Sequence, residues 1–408
     1  MLTTITSLAS SISYDQCSIQ RPSPVSSGAI QPTAIVMRVL ALNPYHGGSH
    51  QAFLEGWIAH SRHAFDVLTL PAYKWKWRMR HAPVTFAERL QGPDHRDRNW
   101  DVVFCTDMLN LAEFRGLCRS DVEGLPAIVY FHENQLTYPN REARERDLHF
   151  AFTNLTTCLA ADAVWFNSRF HREAFLTGMA NWMRNMPDHQ LLDASDKIRA
   201  KSSIHWPGIE MPSRRMARRA GPLRILWSSR WEHDKDPETF FNAIQLLRMQ
   251  HEPFRLAVLG ESFGNVPACF ATARDQFSEY IDHWGYTKSR EQYLEVLLDA
   301  DVVVSTARHE FFGIGVVEAV AAGCFPLVPR CLAYPEVLGD HDDFFHDGTP
   351  RGIVARLKLL SQRAGDAASC WPQESDGRSI ASQYAWPIAA TRMDVALEQI
   401  LGDSLQGY

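Results

Sequence analysis

The chain has 408 residues, 45% hydrophobic and 22% charged, with a formal net charge of −6. That length bounds two ordinary domains with sizeable cores, and the acidic balance excludes a global basic field, so any nucleic-acid surface must be local. No apolar run approaches the roughly 20 residues that cross a bilayer. The eight cysteines (17, 105, 118, 158, 269, 324, 331, 370) contain no C-x-x-C pair, so they read as buried thiols of a reducing cytoplasm.

Residues 1–36 are rich in Ser, Thr, Pro and Gln and lack the basic start and apolar core of a signal peptide. A disordered leader is expected, with Met37 an alternative start. A transit peptide is the other reading, opposed by Arg21 as its only basic residue. Residues 38–43 form a first strand. Pro44-Tyr45-His46-Gly47-Gly48-Ser49-His50 then leads into a helix over 49–60, where paired glycines permit a tight turn close to a ligand. Residues 65–70 are strand two. At 74–81, Lys74, Lys76, Arg78 and Arg80 alternate with Trp75, Trp77 and Met79. This stretch suits either a polyanion with exposed bases or a solvated loop anchored by its tryptophans.

Strands follow at 101–105 and 127–131, the second ending in His132-Glu133-Asn134-Gln135-Leu136-Thr137-Tyr138-Pro139. Polar residues at the C-terminal end of a buried parallel strand are where open α/β sheets bind ligands. His132 could exchange a hydrogen bond with a sugar hydroxyl or simply tie down its loop. A charge-rich entry at 141–147 opens a helix to about 160. Residues 163–167 are a strand, and Ser168 caps the next helix. Residues 204–209 read as the last strand of this half, and Arg214, Arg215, Arg218 and Arg219 as a solvated basic linker.

The second half restarts with a strand at 223–228. Arg230 and Lys235 follow it, and Pro237 suits the first turn of a helix to about 249. A strand at 254–259, a helix at 290–300 and a strand at 301–305 lead to His309-Glu310-Phe311-Phe312-Gly313-Ile314-Gly315, which opens a helix to Ala322 capped by Gly323. Glycines at a helix mouth admit a ligand to free N–H groups that attract phosphate. Glu310 lies before that mouth and Glu318 about a turn inside it, so one carboxylate would sit near a sugar and the other near a ribose. Arg230 and Lys235 would clamp a leaving diphosphate. A strand begins at 325, and Tyr384-Ala385-Trp386-Pro387 introduces a final helix to about 401. Alternating strands and helices predict an α/β protein of two doubly wound Rossmann-like domains facing a central cleft. Their expected bounds are 37–206 and 222–385, with a linker at 207–221 and a C-terminal helix at 386–408.

Two glutamates at this spacing around a Phe-Gly-Ile turn resemble the donor motif of retaining GT-B glycosyltransferases of family 4. The runs at 43–50, 131–139 and 230–235, with His309 to Gly313 and Tyr334-Pro335-Glu336, are similar to the tRNA-queuosine alpha-mannosyltransferase family. That resemblance implies a GT-B fold, a GDP-mannose donor and queuosine in the anticodon loop of tRNA-Asp as acceptor, in the cytoplasm without membrane insertion. It implies Glu318 on the donor ribose, Glu310 on the transferred sugar, and N–H groups of Phe312, Gly313 and Ile314 on the diphosphate and sugar. Arg230 and Lys235 would neutralise the departing GDP, and His132, Gly47 and Gly48 would line the cleft from the other side. His50, Asn134, Gln135, Lys74, Lys76 and Arg78 are the candidate acceptor contacts. No cofactor or metal is expected, because Arg230 and Lys235 stand in for a cation. A glycosyltransferase acting on a lipid or polysaccharide, and a non-catalytic nucleotide-sugar-binding module, remain the rival readings; oligomeric state is left open.

Overall fold

The computed structural model describes residues 36–406 apart from 94, 96–97, 119, 139–146, 214–217, 263, 265, 368 and 373–376. The leader up to residue 35, the charged entry at 141–146, and Arg214 and Arg215 lie outside the described residues. The first half forms one parallel sheet from β1 (Arg38–His46), β2 (Ala64–Pro71), β3 (Val102–Thr106), β4 (Ala127–Phe131), β5 (Ala163–Phe166) and β6 (Ser202–Ile204), in the order β2-β1-β3-β4-β5-β6. The second half forms another from β7 (Leu223–Ser228), β8 (Phe254–Leu259), β9 (Ile281–Gly285), β10 (Val302–Val304), β11 (Phe325–Pro329) and β12 (Phe345–His346), in the order β12-β11-β10-β7-β8-β9. Every residue of β3, β4, β10 and β11 is buried, as central strands covered by helices on both faces require.

Each order reverses once, between β1 and β3 in the first sheet and between β7 and β10 in the second. Open α/β sheets bind ligands beyond the carboxyl ends of the strands at such a reversal. Those ends carry Gly47, Gly48 and Asp107 in the first half, and Arg230 and His309 to Gly313 in the second.

Several elements differ from expectation. Residues 74–81 are not a loop: α2 (Trp75–Leu90) begins there, after α1 (Gly48–His60), with Lys74, Lys76, Trp77 and Arg80 exposed. Its buried positions, Met79, Ala82, Pro83, Phe86, Ala87 and Leu90, keep a helical period that the cations and tryptophans obscure. The last strand of the first half is 202–204 and not 204–209, because Pro207 cannot donate to a ladder and Gly208 lies against Trp386. The edge strand β9, partly exposed along its length, carries no apolar run to announce it. Arg218 is not solvated; its Nε lies 3.1 Å from Asp301 Oδ1, with both side chains largely buried, and Arg219 pairs with Asp299. Cys105, Cys158, Cys324 and Cys370 are buried as expected, but Cys331 is exposed.

The final helix, α9 (Trp386–Gln406), runs past 401 and returns to the first sheet. Trp386, Ala389, Ala390, Met393 and Leu397 share a core with Met37, Val39, Phe53 and Trp57. Asp394 ties the packing by accepting from Trp57 Nε1 at 2.9 Å, Ser61 Oγ at 2.7 Å and Arg62 N at 3.0 Å. The first and last described elements thus pack in the same half.

Candidate active site

The first wall is built at the ends of β1, β3 and β4. Gly47 passes so close to Ala72 that a Cβ on it would lie 2.5 Å from the alanine's, and Gly48 opens α1 at φ +53°. The turn places His50 in the first helical turn, where its ring packs against His132 at 4.0 Å between centroids with the planes tilted by 37°. Phe53 and Tyr130 enclose the His132 ring edge-on at 5.0 and 4.7 Å. The His132 amide donates to Asp107 Oδ1 at 2.9 Å, and its carbonyl accepts from Asn167 Nδ2 at 2.9 Å. His50 Nδ1, His132 Nε2 and Asp107 Oδ2 are buried without a protein partner. Burial, reinforced by Arg230 and His46, lowers the His50 pKa to about 3. Burial and then His50 and His171 hold His132 well below the usual imidazole range, so this wall presents neutral rings. Burial raises Asp107 well above the carboxylate range, with Glu133 adding to it.

Asn134 does not face the cleft. It is fully buried, and its Oδ1 accepts from Leu136 N at 3.1 Å and Thr137 N at 2.8 Å, so it shapes the turn and contacts no ligand from there. Gln135 bonds Glu133 through its side chain at 3.2 Å. Lys74 and Lys76 are exposed at the start of α2, whereas Arg78 is half-buried and engaged locally, its Nε donating to Pro71 O at 2.9 Å and its Nη1 lying 2.8 Å from His81 Nε2. Arg80 is exposed, and its guanidinium covers the Phe150 ring at 4.8 Å.

The second wall is charged. Lys235, 5% exposed, donates from Nζ to His309 O at 2.7 Å, to Glu310 Oε2 at 3.2 Å, and lies 3.1 Å from Asp234 Oδ2. Burial opposes its charge, but Glu310 and Asp234 outweigh that and raise its pKa; burial likewise opposes the Glu310 carboxylate, and Lys235 outweighs it, holding Glu310 low. Both therefore stay ionised. The Asp234-Lys235-Asp236 run has the spacing of a metal-binding pair, yet Asp236 accepts from Thr239 N and pairs with Arg308 at 2.8 Å as it caps α5 (Pro237–Met249). Among the described residues no group of three or more His, Cys, Asp or Glu side chains is arranged to hold a metal ion.

Gly313 begins α7 (Ile314–Ala322) at φ +85° with no side-chain cap. Val316 and Val317 donate to Gly313 O, and the N–H groups ahead of them have no intrahelical acceptor, so they and the helix dipole face the mouth. Only glycine fits, because a Cβ on Gly313 would lie 2.8 Å from the Tyr334 ring. One turn inside, Glu318 accepts from Arg290 Nη2 at 2.5 Å and Tyr293 OH at 2.8 Å, both from α6 (Arg290–Asp299). Two of its roughly four acceptor sites are thereby used and the others remain available. Glu318 and the Lys235–Glu310 pair have separate partners, Arg290 and Tyr293 for the first and Asp234 and His309 O for the second.

The walls meet through Tyr138, whose hydroxyl accepts from Arg230 Nη2 at 3.1 Å and whose ring packs edge-on against His309 at 5.1 Å. Arg230 also lies 3.3 Å from Glu232. Asp107, Asn167, His171, Arg290 and Tyr293 escaped the sequence reading. Arg290 and Tyr293 alone carried a signal, three residues apart on a helix that precedes the donor strand.

Comparison with known proteins agrees with this geometry. Residues 38–209 match the family described as tRNA-queuosine alpha-mannosyltransferase N-terminal, and residues 213–368 match glycosyl transferases group 1. The chain is 34% identical over 311 residues to the tRNA-queuosine alpha-mannosyltransferase of Drosophila melanogaster, covering 73% of this chain and 81% of the relative. It is 23% identical over 257 residues to a GDP-mannose-dependent alpha-(1-6)-phosphatidylinositol dimannoside mannosyltransferase of Mycobacterium tuberculosis, covering 59% of this chain and 60% of that one. Among solved structures, sucrose-phosphate synthase from Thermosynechococcus elongatus superposes with TM-score 0.68 at 14% identity, covering 90% of this chain and 100% of that one. A glycosyltransferase from Rickettsia africae superposes with TM-score 0.61 at 12% identity, covering 90% and 99%. The fold is GT-B.

Proposed function

The chain belongs to the tRNA-queuosine alpha-mannosyltransferase family, and from that premise we propose that it transfers mannose from GDP-mannose, with retention, to queuosine in the anticodon loop of tRNA-Asp. The observation that carries the donor half is the buried Lys235–Glu310 pair beside the uncapped mouth of α7. The diphosphate sits on the N–H groups of Phe312, Gly313 and Ile314, with Arg230 and Lys235 as its cations. Glu318 accepts from the ribose hydroxyls through its remaining lone pairs, and Glu310 accepts from the mannose.

In the transfer, the bond from mannose C1 to the phosphate oxygen breaks and a bond from C1 to the acceptor oxygen forms on the same face. The acceptor proton passes to the leaving phosphate. The protein contributes position and charge stabilisation and no covalent nucleophile. His132 Nε2 and His50 Nδ1, both lacking protein partners, offer hydrogen bonds to the cyclopentenediol of queuosine. Lys74 and Lys76 meet the phosphates of the loop, and the substrate is a cytosolic tRNA; among the described residues no helix is long and apolar enough to cross a membrane. Arg230 and Lys235 take the part of a divalent cation, so turnover persists in EDTA.

The test is a nucleoside profile. Queuosine-containing tRNA incubated with the protein and GDP-mannose in EDTA, then digested, should convert queuosine to a product heavier by one hexose. Conversion with UDP-glucose in place of GDP-mannose, or only with added Mg²⁺ or Mn²⁺, would contradict the donor and cation assignments.

A further inference from the structure

A buried chain of contacts joins the two walls behind the cleft, and it runs through the start of α4 (Arg169–Met183). Asn167 Nδ2 donates to the carbonyl of His132 at 2.9 Å, and its Oδ1 lies 2.8 Å from His171 Nδ1. Because Oδ1 can only accept, His171 carries its proton on Nδ1. The His171 ring lies flat on Phe311, centroids 3.7 Å apart and planes 18° from parallel. Ser168 Oγ accepts from His171 N at 3.0 Å, capping the helix, and donates to the carbonyl of Phe311 at 2.5 Å. Asn167, Ser168, His171 and Phe311 are all buried.

A second tie lies alongside. Glu336 on α8 (Tyr334–Leu338) accepts from the backbone amides of Arg169 at 2.8 Å and Phe170 at 3.0 Å, and from Trp206 Nε1 at 3.3 Å. The same short helix carries Tyr334, the ring that backs Gly313. One helix N-terminus in the first half therefore grips both flanks of the donor loop. Its bonds end one residue from Glu310 on the donor side and on His132 itself on the acceptor side.

We propose that Asn167, Ser168, His171 and Glu336 are positioning residues that fix the separation between His132 and Glu310, so that acceptor and donor are presented in register. They act through His132 and Phe311 and are assigned no contact with either substrate. A stacked neutral ring and a two-amide carboxylate are stiff links, since each has partners on both sides and few rotamers to explore. Buried His171 stays neutral, burial and His309 holding its pKa well below the imidazole range, so no charge competes with the stack. This inference rests on the proposed transfer only for its kinetic readout.

The experiment compares Ser168→Ala, Ser168→Thr and Glu336→Gln with the wild-type protein in kcat for mannose transfer, GDP affinity and amide hydrogen exchange. Ser168→Ala and Glu336→Gln should each lower kcat at least tenfold while GDP affinity stays within threefold. Ser168→Thr, which keeps the hydroxyl, should restore kcat to within threefold. In the same two variants, segments 130–135 and 307–313, which belong to different sheets, should both exchange at least tenfold faster. Unchanged kcat in a folded variant, or faster exchange confined to 166–172, would overturn the proposal. If Ser168→Ala does not fold, Glu336→Gln decides by the same criteria. If the wild-type protein transfers no mannose to queuosine, the transferase reading fails and the exchange comparison still decides the strut.

Discussion

The donor wall of the cleft holds ion pairs, Lys235 between Asp234 and Glu310 and Glu318 against Arg290, while the acceptor wall opposite holds packed imidazoles kept neutral by burial. The difference matches what each wall would bind in the proposed transfer. A leaving diphosphate gains negative charge as the glycosidic bond breaks, and charges fixed beforehand stabilise it without reorganising. A diol gains none, and a charged imidazole beside Arg230 would repel the cation that the diphosphate needs. Unpartnered nitrogens on the acceptor wall then reward a ligand bearing hydroxyls, because a buried polar atom left unpaired costs about 1–3 kcal/mol.

The contrast breaks most severely at Lys235. Lys235→Met should leave the partly buried carboxylates of Asp234 and Glu310 without their cation, costing about 3 kcal/mol of stability, the low end for a buried pair, and abolishing transfer. Chemical denaturation checks this, and a loss below about 1 kcal/mol would mean the pair is solvated in practice. Glu318→Ala should weaken GDP binding by roughly ten- to a hundredfold, the worth of a charge-assisted hydrogen bond of about 1.5–3 kcal/mol. Calorimetric titration with GDP reads this, and full affinity in a folded variant would remove the ribose assignment.

A smaller effect separates the neutral wall from the charged one by pH. The folded-state pKa of His50 is near 3, below the ordinary 6.5, so the unfolded chain binds the proton first. Stability is therefore complete above pH 6.5 and falls as the pH drops through the window from 6.5 towards 3, with a limiting slope of about 1.4 kcal/mol per pH unit for this group. His50→Gln should flatten that slope between pH 6.5 and 5; an unaltered slope would show that the ring already titrates normally. The smallest change concerns the rim. Replacing Lys74 and Lys76 with Ala should raise the tRNA KM and reduce the salt dependence of tRNA binding by about one to two in log–log slope, leaving GDP binding alone. Arg78→Ala, whose guanidinium is held by Pro71 O and His81, should leave that slope unchanged.

Much of the donor wall was legible in the sequence because its elements are regular: the β-branched run at 302–304, Gly313 and Gly323 bracketing α7, and Pro237 opening α5 each obey a local rule. The first half was harder. In α2 the alternation of cations and tryptophans hid a helix whose buried face only packing shows, and in β6 a proline and a glycine were read as strand. Asn134 looked like a ligand contact because polar residues at a strand end often are, yet the turn itself consumes its side chain. The contacts of Ser168 and His171 with Phe311 join residues about 140 apart in sequence, a separation at which no spacing rule operates.

The proposed transfer is tested most directly by labelled mannose and a choice of acceptors. GDP-mannose carrying the label is offered with queuosine-containing tRNA-Asp, the same tRNA with guanosine at that position, and a lipid extract. Label confined to the queuosine-containing tRNA is the result predicted. Equal label in both tRNAs, or label in the lipid, would contradict the queuosine assignment and favour a lipid or polysaccharide acceptor.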